Sequence, residues 1–534
     1  MASAAVPAWT PTRSAAGPYS PWLIVCIISL PTFMEVLDTS IANVSLAHIA
    51  GGLSISNDES TWVLTSYLVA NAIVIPISGW LSDVVGRKRY FMISIALFTV
   101  SSLMCGMAPN LTTLVLARVF QGIGGGGLAP VEQSILADTF PPEKRGMAFA
   151  AFAIVVIVGP VLGPTLGGYI TDHASWHWIF LINVPVGIIA FTLTEIFVDE
   201  PEAIRAERRK LIARGIRIDY IGVLLVALGL GFLEITCDRG QREDWFASGL
   251  IITTATISAV SLIALVLWEL NHDDPVVDLR LLRNRNFALT ILVMGTVGMI
   301  LFGTTQLIPQ MLQQVLGYSA MDAGLALTAG GVATLFAVPI AGRLSDKVDV
   351  RFLLFPALII QAAALWNMSR LTPDMSFGDA AMARLYQSVA LPFLFVPINA
   401  VAYVGLPQTK TAQASSLLNV FRNLGGTIGI SFSQVMLASG MQRHQSFLVE
   451  RLNPLDPNYN DWIATAGSLF GGGGASGPST TTLAVLYQQM QRQATMLAFL
   501  DVFHALMIVV IVVAPVALLM RSPKRGQRGG GMAH

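Results

Sequence analysis

Charged side chains sit in this chain where few sequences place them, inside long apolar runs. Glu35 and Asp38 lie in the run that begins at Trp22, three residues apart and so on one helical face. An ionised group at the centre of a bilayer costs about 2.5–3.5 kcal/mol on insertion scales, which makes function the default reading of such a residue. The chemistry open to this pair is proton exchange, with protonation from one side of a membrane and release to the other. Glu35 has the plainer alternative of marking a membrane boundary. Arg118 stands in Arg118-Val-Phe-Gln121-Gly122 of a later run, and a cation there favours the ionised form of a facing carboxylate. It is the candidate partner of Asp38, with Gln121 beside it. Glu132 follows about 21 Å along the same helix axis, as a further titrating group or a boundary residue. Towards the C-terminus, Asn419 and Arg422 share a face of one run, and Asp501 and His504 share a face of another. These four read as coupling or substrate residues, or as ordinary structural polar groups.

The elements that must carry these residues follow from composition. Of 534 residues, 54% are hydrophobic and 12% charged, and the mean hydropathy is +0.65. A soluble domain carries about 25% charged residues, so a soluble multidomain enzyme is excluded, as is a disordered chain. Thirty-two basic residues balance 32 acidic ones, which gives no reason to expect a nucleic-acid partner. Three cysteines are too few for a disulfide framework and read as small buried hydrophobes. Apolar runs long enough to span a bilayer start near Trp22, Thr61, Tyr90, Leu111, Met147, Trp178, Tyr220, Ser248, Ala288, Ala323, Phe352, Met382, Ala412 and Gln493. They predict an all-α integral membrane protein with 14 transmembrane helices, and their continuous apolarity excludes a β-barrel. With an even count both termini share a side. The basic residues gather there, at Arg87–Arg89, Lys144 and Arg145, Arg205 to Arg217, Arg280 to Arg285, and Arg343 to Arg351. The other side receives Arg239, Arg242, Arg370, Arg384, Arg443, Arg451 and Arg492. The asymmetry predicts cytoplasmic termini.

Two glycine-bearing motifs point to moving parts. Helix 2 closes on Gly79-Trp-Leu-Ser-Asp83-Val-Val-Gly86-Arg87-Lys88-Arg89. Gly86 relieves a tight turn, and Asp83 is placed to meet the N-terminal dipole of helix 3 and nearby guanidinium groups. Such a cluster can latch one conformer and break in another. Its core recurs as Gly342-Arg-Leu-Ser-Asp346 at the end of helix 10, with Asp349 where the first copy has Gly86. The repeat implies two related six-helix bundles around a midplane cavity. Residues 22–197 form the first bundle, 198–287 a basic linker with an inserted two-helix hairpin, and 288–520 the second bundle. The second bundle includes a long outer loop over 439–492, whose glycines 471–474 read as a flexible linker. Residues 1–21 read as a disordered tail and 521–534 as a second tail, both cytoplasmic. In helix 5, Gly159-Pro-Val-Leu-Gly163-Pro164-Thr-Leu-Gly167-Gly168 lines up Gly159, Gly163 and Gly167 for close helix contact, while Pro164 frees a carbonyl and bends the helix. The run of glycines at 122 and 124–127 has neither a preceding strand nor a P-loop lysine, and so reads as packing.

The Gly79–Arg89 loop resembles the signature loop of the major facilitator superfamily. The helix 5 motif is similar to the antiporter motif that marks exporters within it. Glu35-Val-Leu-Asp38-Thr-Ser-Ile-Ala-Asn43-Val resembles the helix 1 motif of fourteen-helix drug:proton antiporters of the EmrB/QacA type, with Ser40 for the usual Thr and no following proline. Asn43 is kept and joins the possible coupling or substrate residues. Trp178 to Pro185 also resembles the EmrB type and reads mainly as an interfacial anchor. The resemblance spans about residues 22–521. It implies proton-coupled efflux of lipophilic drugs or toxic compounds across a bacterial inner membrane. It also implies a periplasmic adaptor and an outer-membrane channel as partners, with 439–492 as docking surface or as an unbound loop. No cofactor or metal is expected, since no Walker motif or Cys/His ligand cluster occurs and the energy source is the proton motive force. An exporter of one lipid, fatty acid or siderophore shares every motif. A non-transporting receptor or assembly subunit leaves the intramembrane charges unexplained, and no nucleophile–base constellation suggests an enzyme.

Overall fold

The computed structural model describes residues 19–213, 218–450, 452–453, 455–470, 473–474, 477–478 and 480–520. The expected tails, apart from residues 19–21, lie outside this set, as does much of the 471–479 linker. Among the described residues run α1 Pro21–Val44, α2 Trp62–Val85, α3 Arg87–Gly106, α4 Leu111–Thr139, α5 Arg145–His173, α6 Trp178–Phe197, α7 Tyr220–Arg239, α8 Gly249–Asn271, α9 Arg285–Leu316, α10 Ala320–Lys347, α11 Val350–Met368, α12 Phe377–Ala402, α13 Thr411–Glu450 and α14 Thr480–Leu518. Thirteen are long and apolar enough to cross a membrane. The remaining one, α13, has the length but mixes Asn419, Arg422, Asn423 and Gln434 among its apolar residues.

Local sequence explains the breaks. Helix α4 is interrupted at Gly126 and Gly127, between Leu111–Gly125 and Leu128–Thr139. Its glycines press it onto α2 and α3: a Cβ at Gly122 would meet Ala70, and one at Gly124 would lie 2.6 Å from the Phe98 amide. Helix α6 breaks at Ile182, between Trp178–Leu181 and Asn183–Phe197. Between α2 and α3 the chain turns on Gly86 at φ +102°, a conformation side-chain-bearing residues rarely adopt.

Helix α5 is the central strut. In its own bundle it lies along α1, where added methyl groups at Gly159, Gly163 and Gly167 would strike Val36, Ser40 and Ile41. A Cβ at Gly168 would meet nothing within 4 Å, so this residue stands outside the packed face. Pro164 cannot donate to the carbonyl of Pro160, and Ser40 Oγ donates to that carbonyl instead at 3.0 Å. Across the bundles α5 also follows α10, with Val161 beside Gly331 and Ala150 beside Gly342. The second crossing sets α2 on α13, where a Cβ at Gly79 would lie 2.9 Å from the Gln413 Cα.

Helices α7 and α8 pair through Ser258 Oγ, which donates to the Gly229 carbonyl at 2.8 Å, and through Thr236 and Thr254 at 2.9 Å. Gly231 lets α7 lie against Ile73 and Val69 of α2. Part of the basic linker is itself a helix, Glu202–Ala213. The region expected as a long loop is largely helical: α13 runs on to Glu450, Pro457–Phe470 is a helix, and α14 begins at Thr480. Arg492 donates to the carbonyls of Val315, at the end of α9, and Pro373. The stretch 480–491, about 18 Å of helix, precedes that contact, and its Leu486, Gln489 and Met490 share a pocket with Pro373, Asp374, Leu448 and Leu452. In the linker, Gly473–Gly474 pairs antiparallel with Gly477–Pro478.

Candidate functional site

The first bundle is built around Asp38. Its Oδ2 accepts from Arg118 Nη1 at 2.5 Å, and its Oδ1 accepts from Gln121 Nε2 at 2.9 Å and Asn183 Nδ2 at 2.7 Å. Arg118 also donates to Gln121 Oε1 and, through Nε, to the Val63 carbonyl. Asp38 is 1% exposed and Arg118 0%. A pair sealed this completely survives because three donors converge on the carboxylate; removing one partner leaves an uncompensated buried charge. Asn183 belongs to the segment read as an interfacial anchor. Trp178 is exposed and fits that reading, but Asn183 is buried on Asp38 and Ser102. The signal was present: an amide side chain in an otherwise apolar run.

Tyr67 joins this sealed pair to a second group of polar residues. Its ring lies under Arg118, 4.3 Å from guanidinium carbon to ring centroid, and its hydroxyl donates to Glu35 Oε1 at 3.2 Å. Asn71 donates to the same oxygen at 3.1 Å. Glu35 is only partly buried, in contrast to the sealed Asp38. Glu132 is buried and accepts from Ser29 of α1 at 2.5 Å. Arg422, on α13 of the other bundle, acts electrostatically on both Glu35 and Glu132. Glu132 Oε2 and Arg422 Nη1 are buried without a hydrogen-bond partner. Asn419 donates to Gln133 of α4 at 2.9 Å, a residue the motifs did not mark. Glu35, Glu132, Asn419 and Arg422 thus meet where α1 and α4 face α13.

Other expected residues stand apart. Asn43 is exposed near the end of α1. Asp501 bonds to Arg443 and His444 of α13, while His504 is exposed. Arg384, expected in an outer loop, is 1% exposed inside α12 and donates to Thr304, Thr305 and Gln387. The Arg384/Gln387 pair on α12 repeats the spacing of Arg118/Gln121 on α4, with Thr304 of α9 in the place Asp38 takes on α1.

The latch differs from its expected wiring. The amide of Arg87, at the start of α3, donates to Glu200 at 3.0 Å, so the helix N-terminus is met by the linker and not by Asp83. The Arg87 guanidinium is buried in a salt bridge with Asp138 of α4, and Asp138 in turn accepts from Thr411 of α13. Arg208 of the linker helix bonds Glu200 at 2.8 Å and the Val85 carbonyl at 3.2 Å. Asp83 lies in the field of Arg87 and Lys410. It is Asp346, in the second copy, that caps a helix: it accepts from the Gly146 amide at the start of α5, across the bundles, at 2.8 Å. Asp349 caps its own next helix through the Arg351 amide. Around these contacts the two bundles meet at the end that carries the basic residues.

A multi-pass helical fold with two bundles crossing at paired glycines, and with buried charges in its spans, defines a membrane transporter. Residues 28–430 match the Major Facilitator Superfamily, and the chain belongs to that family, in its EmrB-type branch. It is 41% identical to the multidrug export protein EmrB of Haemophilus influenzae over 82% of this chain and 84% of that protein. The corresponding figures are 38%, 96% and 98% for the protein of the same name from Escherichia coli K12. The fatty acid resistance protein FarB of Neisseria gonorrhoeae is 35% identical over 94% of this chain and 96% of its own length. Among solved structures, the proton:xylose symporter XylE aligns with a TM-score of 0.58 over 94% of this chain and 99% of that one, at 14% identity, a likeness of fold.

Proposed function

We propose that this transporter exports lipophilic drugs and toxic compounds across a bacterial inner membrane in exchange for protons, with its basic face towards the cytoplasm. The observation that carries the reading is the sealed Asp38–Arg118 pair, joined through Tyr67 to the partly buried Glu35. Protonation of Asp38 removes the negative half of a buried pair and so changes which packing of the bundle is stable. In the proposed cycle, outside protons reach Asp38 and Glu35, the bundles rock about the α5–α10 and α2–α13 crossings, and the protons leave inside as substrate enters between α1, α4 and α13. A proton motive force supplies about 2.3 kcal/mol per charge per 100 mV, so one proton at ~150 mV sustains a gradient of roughly 300-fold. No other cofactor enters the scheme. The basic face holds Arg87–Arg89, Lys144, Arg145, Arg343, Lys347 and Lys410, the arrangement of a cytoplasmic side.

The helical extension of α13 and α14, with Pro457–Phe470, supports docking of a periplasmic adaptor that leads to an outer-membrane channel, the second half of the functional reading. A dedicated exporter of fatty acids is the rival, favoured by the 35% identity to FarB. The test is uptake into everted vesicles energised by an acid interior, using a panel of lipophilic drugs beside long-chain fatty acids. Accumulation of several unrelated drugs supports multidrug export. Accumulation of fatty acids alone selects the rival.

A further inference from the structure

The inserted hairpin carries an intramembrane carboxylate that belongs to none of the motifs. Glu234 lies within the apolar helix α7, is buried, and accepts a 2.9 Å hydrogen bond from Thr427 of α13 through Oε2. The rest of α7 holds to the first bundle. Thr65 of α2 donates to Asp238. Arg239 donates to Thr61 at 3.2 Å and Asp58 at 3.3 Å, and stands over the Trp62 ring. Gly231 seats α7 against Ile73 and Val69. Helix α7 is therefore tied to α2 between Gly231 and Arg239, while Glu234 reaches across to the second bundle. Thr427 follows Arg422 by five residues, about 7.5 Å along α13 and about 140° around it, so this contact lies on a different face of α13 from the Glu35/Glu132/Arg422 group.

Resting on the proton-coupled reading above, we propose that Glu234 is a further protonation site of the transport cycle, whose proton occupancy follows the opening of the seam between α7 and α13. When the seam is closed, the Thr427 hydroxyl stabilises the carboxylate. When the second bundle rocks away, the hydroxyl leaves, and an ionised group in an apolar helix has lost its donor; Glu234 then takes a proton from water. On closure the hydroxyl returns and that proton is released to water. On α7 the charged neighbour in the field of Glu234 is Asp238, itself anionic, with Cys237 nearby. α13 presents Thr427 to Glu234 and Ser431 to Cys237, α2 presents Thr65 to Asp238, and α8 presents Thr254 to Thr236. The hairpin thereby becomes a working part of the coupling and not a spacer.

The test is an infrared pH titration of the whole protein in lipid vesicles from pH 5 to 9, following the protonated-carboxyl stretch in wild type, Glu234→Gln, Thr427→Val and Asp38→Asn. We expect one titrating band to vanish in Glu234→Gln and to persist in Asp38→Asn. In Thr427→Val that band should titrate at a proton concentration about tenfold lower, since loss of a hydrogen bond to a charged group favours the neutral acid. Thr427→Val keeps the carboxylate and the shape of the site, so the comparison survives if Glu234→Gln folds poorly. A titrating spectrum identical in wild type and folded Glu234→Gln, or a band indifferent to Thr427→Val, overturns the proposal. Drug efflux in vesicles that needs no proton gradient overturns the proton-coupled reading on its own, whatever the spectra show.

Discussion

Ser40 donates a hydrogen bond of 3.0 Å to the carbonyl of Pro160, the acceptor that Pro164 leaves without its helical donor. One hydroxyl on α1 therefore repairs the kink in α5, two residues from the carboxylate proposed to carry the proton. Any change in the bend of α5 is transmitted to the backbone that holds Asp38. The pairing also accounts for Ser at position 40: a Cβ on Gly163 would already strike Ser40, so the crossing has little room.

Removing that hydroxyl with Ser40→Ala should lower stability by about 0.5–1.5 kcal/mol, seen as a modest fall in the melting temperature of detergent-solubilised protein. Gly163→Leu should be far worse, because it overfills the same crossing. Comparable melting temperatures for the two variants would contradict this packing.

Asn183→Leu removes one of the three donors on Asp38 while leaving Arg118 and Gln121 in place. A buried charge pair that loses a donor is less well compensated. Drug-driven proton release from everted vesicles should therefore fall several-fold, with expression unchanged. Release equal to that of the wild type would remove Asn183 from the coupling site.

Much of the architecture was legible in sequence because hydrophobic run length is set by bilayer thickness and needs no tertiary information. All fourteen runs correspond to long helices. Asp38 and Arg118 were marked because each is a charge where charges are costly. What stayed hidden depends on which helices touch. Asn183 is a common residue near a helix start, and only packing brings it to Asp38. Glu200 takes the place expected of Asp83 because the linker folds back as a helix beside the α2–α3 turn, and Asp138 reaches Arg87 from α4, contacts no local pattern encodes. Arg384 reads as a loop residue in sequence because it follows soon after the polar stretch 369–379, yet α12 begins at Phe377 and draws it inside. The region 439–492 looked like a loop because Arg443, Arg451 and Arg492 interrupt its apolar residues, whereas helices that leave the membrane accept charge freely.

Arg87 and Asp138 form a buried salt bridge at the basic face. Arg87→Ala strands a buried carboxylate and should cost about 3–5 kcal/mol, measured as loss of folded protein on size exclusion. The double variant Arg87→Ala with Asp138→Asn should recover part of that loss. A double variant as unstable as the single one would show that the pair does not act as a unit.

Asp346 caps α5 from across the bundles. Asp346→Ala should weaken closure of the basic face and raise the rate at which a thiol-reactive probe labels a cysteine introduced at Ala150, which lies beside Gly342 in the same seam. The rise should be several-fold, with the melting temperature nearly unchanged. Equal labelling of the parent and the Asp346 variant would leave the cap without a role in closure.

The most direct test of the central claim compares wild type with Asp38→Asn in everted vesicles holding an acid-inside pH gradient. The account predicts that adding a transported lipophilic drug releases protons from wild-type vesicles, and that this release disappears in well-folded Asp38→Asn. Drug-dependent proton release of equal size in both would contradict it and move the coupling role to another carboxylate.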